Sequence, residues 1–190
     1  MARRRFHPLA AVRRFVRARQ GATAVEFALV AMPFMLLLFG IIELGCVFLV
    51  SATLDFATDR AGRMIRTGEF QTGGANSKND FKSQVCSRMS WLSSPCGNSL
   101  SVDVQTFDNF TELSNAEQVS EEDMEDDSTC FTTGNPGDIV LVRTYFTWTL
   151  FTPLLDDALD NTGDGKRRIS SIATFRNEPY SDDAPVGATC

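Results

Sequence analysis

Residues 21–50 read GATAVEFALVAMPFMLLLFGIIELGCVFLV, and this stretch decides what kind of chain it is. No charged residue falls between Phe27 and Ile42, and beyond Glu43 the apolar run resumes from Leu44 to Val50. A helix over Phe27 to Val50 is roughly 36 Å long, enough to cross a bilayer core of about 30 Å. Upstream lie Arg3, Arg4, Arg5, Arg13, Arg14, Arg17 and Arg19, with no acidic residue among them. A basic block beside an apolar span stays in the cytoplasm, so the chain after the span is expected on the other side of the membrane.

Two carboxylates separate this span from a plain anchor. Glu26 opens the apolar run and Glu43 interrupts it. An ionised carboxylate deep in a membrane costs about 2.5–3.5 kcal/mol on insertion scales. Glu26 can be read as an interfacial residue, but its setting is specific. It follows Gly21 and four small or apolar residues, and it leads into Phe27 and the run.

A basic region followed by an apolar one also describes a secretory signal peptide. The apolar part of such a signal runs to about 7–15 residues and ends in a small-residue cleavage site. This run is longer, and Ile41 to Val50 offers no A-x-A site. The span is therefore expected to be retained.

The stretch GATAVEFALVAMPFMLLLFGIIELG resembles the processing site and helix of TadE-like pseudopilins from tight-adherence (Flp, type IVb) pilus systems. VCSRMSWLSSPC, VDVQTFDNF, DIVLVRTYFTWTLFTPLL and ISSIATFRNEPY follow in the family's order, so the resemblance runs from Gly21 to about Tyr180. It implies cleavage by a prepilin peptidase between Gly21 and Ala22. It also implies an assembly role for Glu26, Phe27 and Glu43. For Glu26 that role is to meet the new amino terminus of a neighbouring subunit. For Glu43, a contact with another subunit's helix inside the membrane is the expectation. The partners implied are the prepilin peptidase, the major pilin, other pseudopilins and an inner-membrane assembly platform. Surface attachment and biofilm formation would be properties of the pilus.

The chain has 190 residues and a formal net charge of −6, an average of two opposite parts. The basic arm has no aromatic interleaving beyond Phe6 and Phe15 and abuts a span, so it reads as a topology signal and not as a nucleic-acid arm. The single histidine is His7. Serine–histidine and cysteine–histidine nucleophilic sites are thus excluded beyond the arm. No Walker loop, no GxGxxG on a strand-to-helix turn and no HExxH is present. The expectation is a substrate of an enzyme, with no catalysis and no cofactor of its own.

Of five cysteines, Cys46 lies in the span and four lie beyond it, where disulfides persist. Four allow two bridges in three pairings. Cys86 and Cys96 flank a short helix end and turn, which favours Cys86–Cys96 and leaves Cys130 with Cys190. A zinc site has the wrong spacing and lacks histidine.

After the span, Leu54, Ala57, Ala61, Met64 and Ile65 fall near one helix face, and Gly68 supplies a stop. One helix from Ala22 to about Thr67 is expected. Phe81, Val85, Met89 and Leu92 predict a second over Asp80 to Leu92, closed by Pro95 and Gly97. Ser101 to Phe107, Asp138 to Thr152 and Arg168 to Arg176 read as strands. In the second, Val140, Val142, Thr144, Phe146 and Trp148 form the face expected on the core. Asp108 to Gly137 is the least ordered part by composition. Its acidic run, Glu121 to Asp127, is either a solvated loop or a calcium site, the loop being the usual outcome. DNTGDG, Asp160 to Gly165, suggests a hairpin turn and lacks the third and twelfth ligands of an EF-hand.

These readings divide the chain into a cleaved cytoplasmic leader (1–21), a transmembrane helix (22–50) and its periplasmic extension (51–67). An α+β domain (68–180) and a tail (181–190) follow. The fold class is α+β: a long N-terminal transmembrane helix running into a small domain with a short antiparallel sheet, the pilin-like arrangement. The alternative is an uncleaved signal-anchored envelope protein whose periplasmic domain scaffolds a complex or binds a ligand.

Overall fold

The computed structural model describes residues 21–74, 77–125, 128–152 and 156–180. The leader, the tail with Cys190, Asp126, Asp127 and the Pro153–Leu155 stop lie outside the described residues. The chain divides into two units, Met1–Ile42 and Glu43–Cys190.

Helix α1 spans Ala22–Arg66, with Pro33 inside it. Proline has no N–H to give to the carbonyl one turn back, yet the helix continues through it. In the first unit Val25, Phe27, Leu29, Val30, Met32, Phe34, Leu37 and Ile41 are all exposed. The helix is long and apolar enough to cross a membrane, by length and composition.

In the second unit the helix changes character. Glu43, Val50, Leu54, Ala57, Ala61 and Ile65 are buried, and Val47 packs beside them. Their spacing of three and four residues makes one stripe down the helix. Arg63 and Arg66 sit in the last turn, where cations complement the helix dipole. Gly68 then ends the run with a left-handed φ of 74°.

Short elements follow. Helix α2 spans Glu69–Thr72 and α3 spans Lys78–Arg88. Ser77 caps α3: its hydroxyl accepts from the Asp80 N–H, and the Asp80 carboxylate accepts from the Ser77 N–H. That S-x-x-D box moves the helix start two residues ahead of the expected Asp80. The chain does not stop at Pro95 and Gly97 either. A 3-10 turn over Ser90–Leu92 leads into helix α4, Ser93–Ser99. Pro95 falls in the first turn of α4, where its missing N–H has no helical partner to lose.

The sheet has three antiparallel strands in the order β1 (Leu100–Phe107), β2 (Ile139–Thr149) and β3 (Lys166–Arg176). Val140, Val142 and Phe146 are buried on one face of β2, with Thr144 between them. Thr144 shares a 2.6 Å hydroxyl hydrogen bond with Thr58 of α1, so the buried helix stripe lies on this face. Mixed helix and sheet, preceded by a long apolar helix, is the expected α+β class.

The other face of β2 is covered as well. Ile139, Leu141 and Arg143 are buried there, although period-two alternation assigns that face to solvent. The cover comes from the segment whose composition reads as least ordered. Asp103 of β1 pairs with Arg143 at 3.0 Å, and Arg143 donates to the Glu117 carbonyl at 2.7 Å. Asp103 also accepts from the Cys130 N–H at 3.1 Å. Alongside, Cys130 to Thr132 pairs with β1 through Val104. Phe131 joins Phe70 and Phe81 in a cluster with ring centroids 5.7–6.1 Å apart. A buried ion pair repays its desolvation only with such added hydrogen bonds, and here they tie a loop to the sheet. Helices α5 (Phe110–Ser114) and α6 (Glu121–Glu125) interrupt the same segment.

The elements are pinned at both ends of α1's packed half. Glu178, just past β3, donates its N–H to the Arg66 carbonyl at 2.9 Å and pairs with the Arg66 side chain at 3.1 Å. Tyr180 donates to the Gly134 carbonyl and accepts from Gln71. A Cβ on Gly68 would lie 2.5 Å from the Tyr180 ring. Gly68→Ala is therefore expected to lower stability by about 1–3 kcal/mol, read as an earlier denaturant midpoint at unchanged slope. Gly74 also has a positive φ, of 80°, but open space around it. Gly74→Ala should cost less, and an equal cost would leave the Tyr180 contact without weight.

Candidate functional site

The chemistry this chain offers is concentrated on α1. Gly21 precedes the helix and Ala22 is its first residue. Gly21 is exposed, and a side-chain carbon added to it would meet nothing within 4 Å. Glu26 lies one turn into the helix and is exposed, as is Phe27. Glu26 presents its carboxylate on an otherwise apolar surface.

Glu43 is different. It is fully buried, and both carboxylate oxygens are engaged within the chain. Oε1 accepts from the Phe151 N–H at 2.8 Å and Oε2 from the Thr152 N–H at 3.0 Å. These residues follow the last position of β2, where the strand ladder no longer supplies acceptors. A carboxylate offers a separate acceptor oxygen to each of two adjacent N–H groups. Charge-assisted bonds of this kind are roughly twice as strong as neutral ones. Glu43 therefore belongs to the domain's own hydrogen-bond network.

Before Glu43, the helix from Ala22 to Ile42 carries no charge apart from Glu26. That is about 31 Å of helix, close to the bilayer core of about 30 Å. The packed stripe begins at Glu43, well before the expected domain extension at residue 51.

Cys86 and Cys96 form a disulfide with Cα atoms 5.5 Å apart, tying the end of α3 to α4. Cys46 is a free thiol. Cys130 is disulfide-bonded, and Cys190, its expected partner, lies outside the described residues. Among the described residues, no three side chains of metal-ligating type come together.

The model of the TadE-like protein family matches residues 21–63. Over those residues the chain is similar to TadE-like proteins. The TadE-like segment contains Gly21, Glu26, Phe27 and Glu43, and it ends near the close of α1. The resemblance read further along, to about Tyr180, lies beyond that match. No curated protein and no solved structure matches the chain. A long apolar helix with a TadE-like segment fits a membrane-anchored protein.

One loop could be mistaken for an ion site. Asp160 accepts from the N–H groups of Thr162, Gly163 and Gly165 at 2.7–2.9 Å. Those donors, led by Thr162, hold its carboxyl down at about 2, below its ordinary 3.8. The loop thus satisfies its own carboxylate, as an Asx-type turn does.

Two outcomes follow for these carboxylates. Glu43→Leu should destabilise the domain by about 1.5–3 kcal/mol, because two donors lose a charged acceptor. Amide exchange at Phe151 and Thr152 should quicken in that variant and less in Glu43→Gln. Unchanged exchange at both would mean the carboxylate does not hold them. For Asp160, a depressed folded-state value means its stabilisation is complete above the unfolded value and lost as pH falls through about 2. A carboxyl-detected titration should place its midpoint well below that of Asp160 in a peptide of the same loop.

Proposed function

We propose that this chain is a minor pseudopilin of a tight-adherence (Flp, type IVb) pilus. A prepilin peptidase removes residues 1–21 by cutting after Gly21. The mature helix then stands in the bacterial inner membrane, amino terminus toward the cytoplasm and domain toward the periplasm, until it joins a filament or its base. Its partners are the peptidase, the major pilin, other pseudopilins and the assembly platform. Attachment and biofilm formation are properties of the assembled pilus. The chain is a substrate and a structural part, with no catalysis of its own.

The observation that carries this reading is the TadE-like match beginning at Gly21, with Glu26 one turn into a bare apolar helix. Cutting creates an amine on Ala22. A carboxylate in lipid is tolerable when it meets a cation with good hydrogen bonding. Glu26 meets the Ala22 amine of a neighbouring subunit, while Phe27 and the residues after it supply apolar contact. Glu43 acts within the subunit, fixing where the domain begins on the helix.

Intact mass of the membrane-extracted chain tests the first step. Co-expression with the cognate prepilin peptidase should remove residues 1–21 and leave Ala22 first. Gly21→Arg should abolish that loss without a folding defect, since the position is open. Glu26→Leu should be cut and yet fail to enter pili. An intact leader with active peptidase would return the chain to an uncleaved envelope anchor, and normal piliation of Glu26→Leu would remove the pairing.

A further inference from the structure

The sheet end next to Glu43 carries an apolar surface left exposed by the described residues. Ile42 is the last residue of the uncharged run, and the next residue, Glu43, holds the backbone of Phe151 and Thr152. The Phe151 backbone is thus fixed where the apolar helix ends, while its side chain is 49% exposed. On α1 beyond Glu43, Leu44, Phe48 and Leu49 are exposed too. No charged residue follows Glu43 until Asp55.

The same end of the sheet gathers both tryptophans of the chain. Trp148 lies one residue before the end of β2 and opposite Arg167 of β3. Trp91, 50% exposed, meets it edge-on with centroids 6.1 Å apart. Trp148 packs against the core, and a half-exposed tryptophan such as Trp91 beside a membrane-crossing helix is typical of the layer between hydrocarbon and water.

We propose that this end of the domain rests in the interfacial layer of the bilayer, with Phe151 inserted and Trp91 at headgroup level. The inference depends on the reading of α1 as a membrane anchor. It makes Phe151 a second membrane contact, its backbone held within the domain by the Glu43 carboxylate. The charges set its depth. Asp160 and Asp164 lie in the connection, and Lys166, Arg167 and Arg168 open β3. Asp160 is satisfied by its own loop; the remaining charges of both signs hold the contact at headgroup level. Glu122 of α6 is exposed, and α6 lies over the other face of the sheet, where Ser101 donates to the Met124 carbonyl. That face stays in water.

Spin-label accessibility tests this on the full chain, in vesicles of phosphatidylethanolamine and phosphatidylglycerol. Single labels go on Phe151→Cys, Leu37→Cys and Phe110→Cys in a Cys46→Ala background. Phe110 is a 67% exposed aromatic just past the other end of β1 and serves as the water control. Leu37 lies in the uncharged run and reports the anchor itself. Labels at Leu37 and Phe151 should collide more with oxygen than with a water-soluble nickel complex, and the label at Phe110 should show the reverse. Nickel preference at Phe151 with oxygen preference at Leu37 overturns the second contact and leaves the anchor standing. Nickel preference at Leu37 overturns the anchor, and this inference with it. Should Phe151→Cys not fold, the native chain reports through its tryptophans. Brominated lipid should then cause a loss of emission, and emission equal to that in unbrominated vesicles overturns the proposal.

Discussion

Two hydrogen bonds from adjacent backbone N–H groups to one carboxylate fix how this molecule is put together. Glu43 sits between an uncharged helical run and a packed domain. Left ionised in lipid, its side chain would be costly. Left out of the domain, the N–H groups of Phe151 and Thr152 would lack their acceptor just where β2 ends. Each problem answers the other. The exchange also sets the register between helix and sheet, because the carboxylate reaches only one pair of amides.

From that point the helix lies against the sheet with little freedom. Its buried stripe runs from Glu43 to Ile65, and Thr58 meets Thr144 partway along. At the far end the Arg66 carbonyl accepts from Glu178. Three polar contacts, at the start, middle and end, therefore index an interface otherwise made of small and apolar side chains. Apolar contact supplies the bulk of the stability but is not directional. The polar contacts choose one alignment among the several that the stripe would accept.

The elements themselves were legible. The long apolar helix followed from length and absence of charge, and the three strands followed from alternation to within about two residues of their ends, apart from the end of β2. Gly68 was readable as the stop of α1. Other features were hidden for definite reasons. The helix start at Lys78 had a local signal, the Ser77–Asp80 box, that apolar periodicity passes over. The second covered face of β2 had no local signal at all. Arg143 looks like a solvent residue until Asp103, forty positions away in sequence, is placed opposite it. Phe131 looks like an isolated aromatic in a polar loop until Phe70 and Phe81 meet it.

The candidate site divides along the same line. Sequence alone supplied Gly21, on which the proposed processing rests, the carboxylate at Glu26 and the apolar run. All three are properties of neighbours along the chain, set by charge, size and helical length. What Glu43 does was decided only by the tertiary structure. Its sequence context is apolar on both sides and suggests a residue stranded in a membrane. Its partners are backbone groups more than a hundred residues away. A backbone N–H carries no side-chain signature, so no pattern in the sequence could announce that two of them would be left without acceptors at the end of β2.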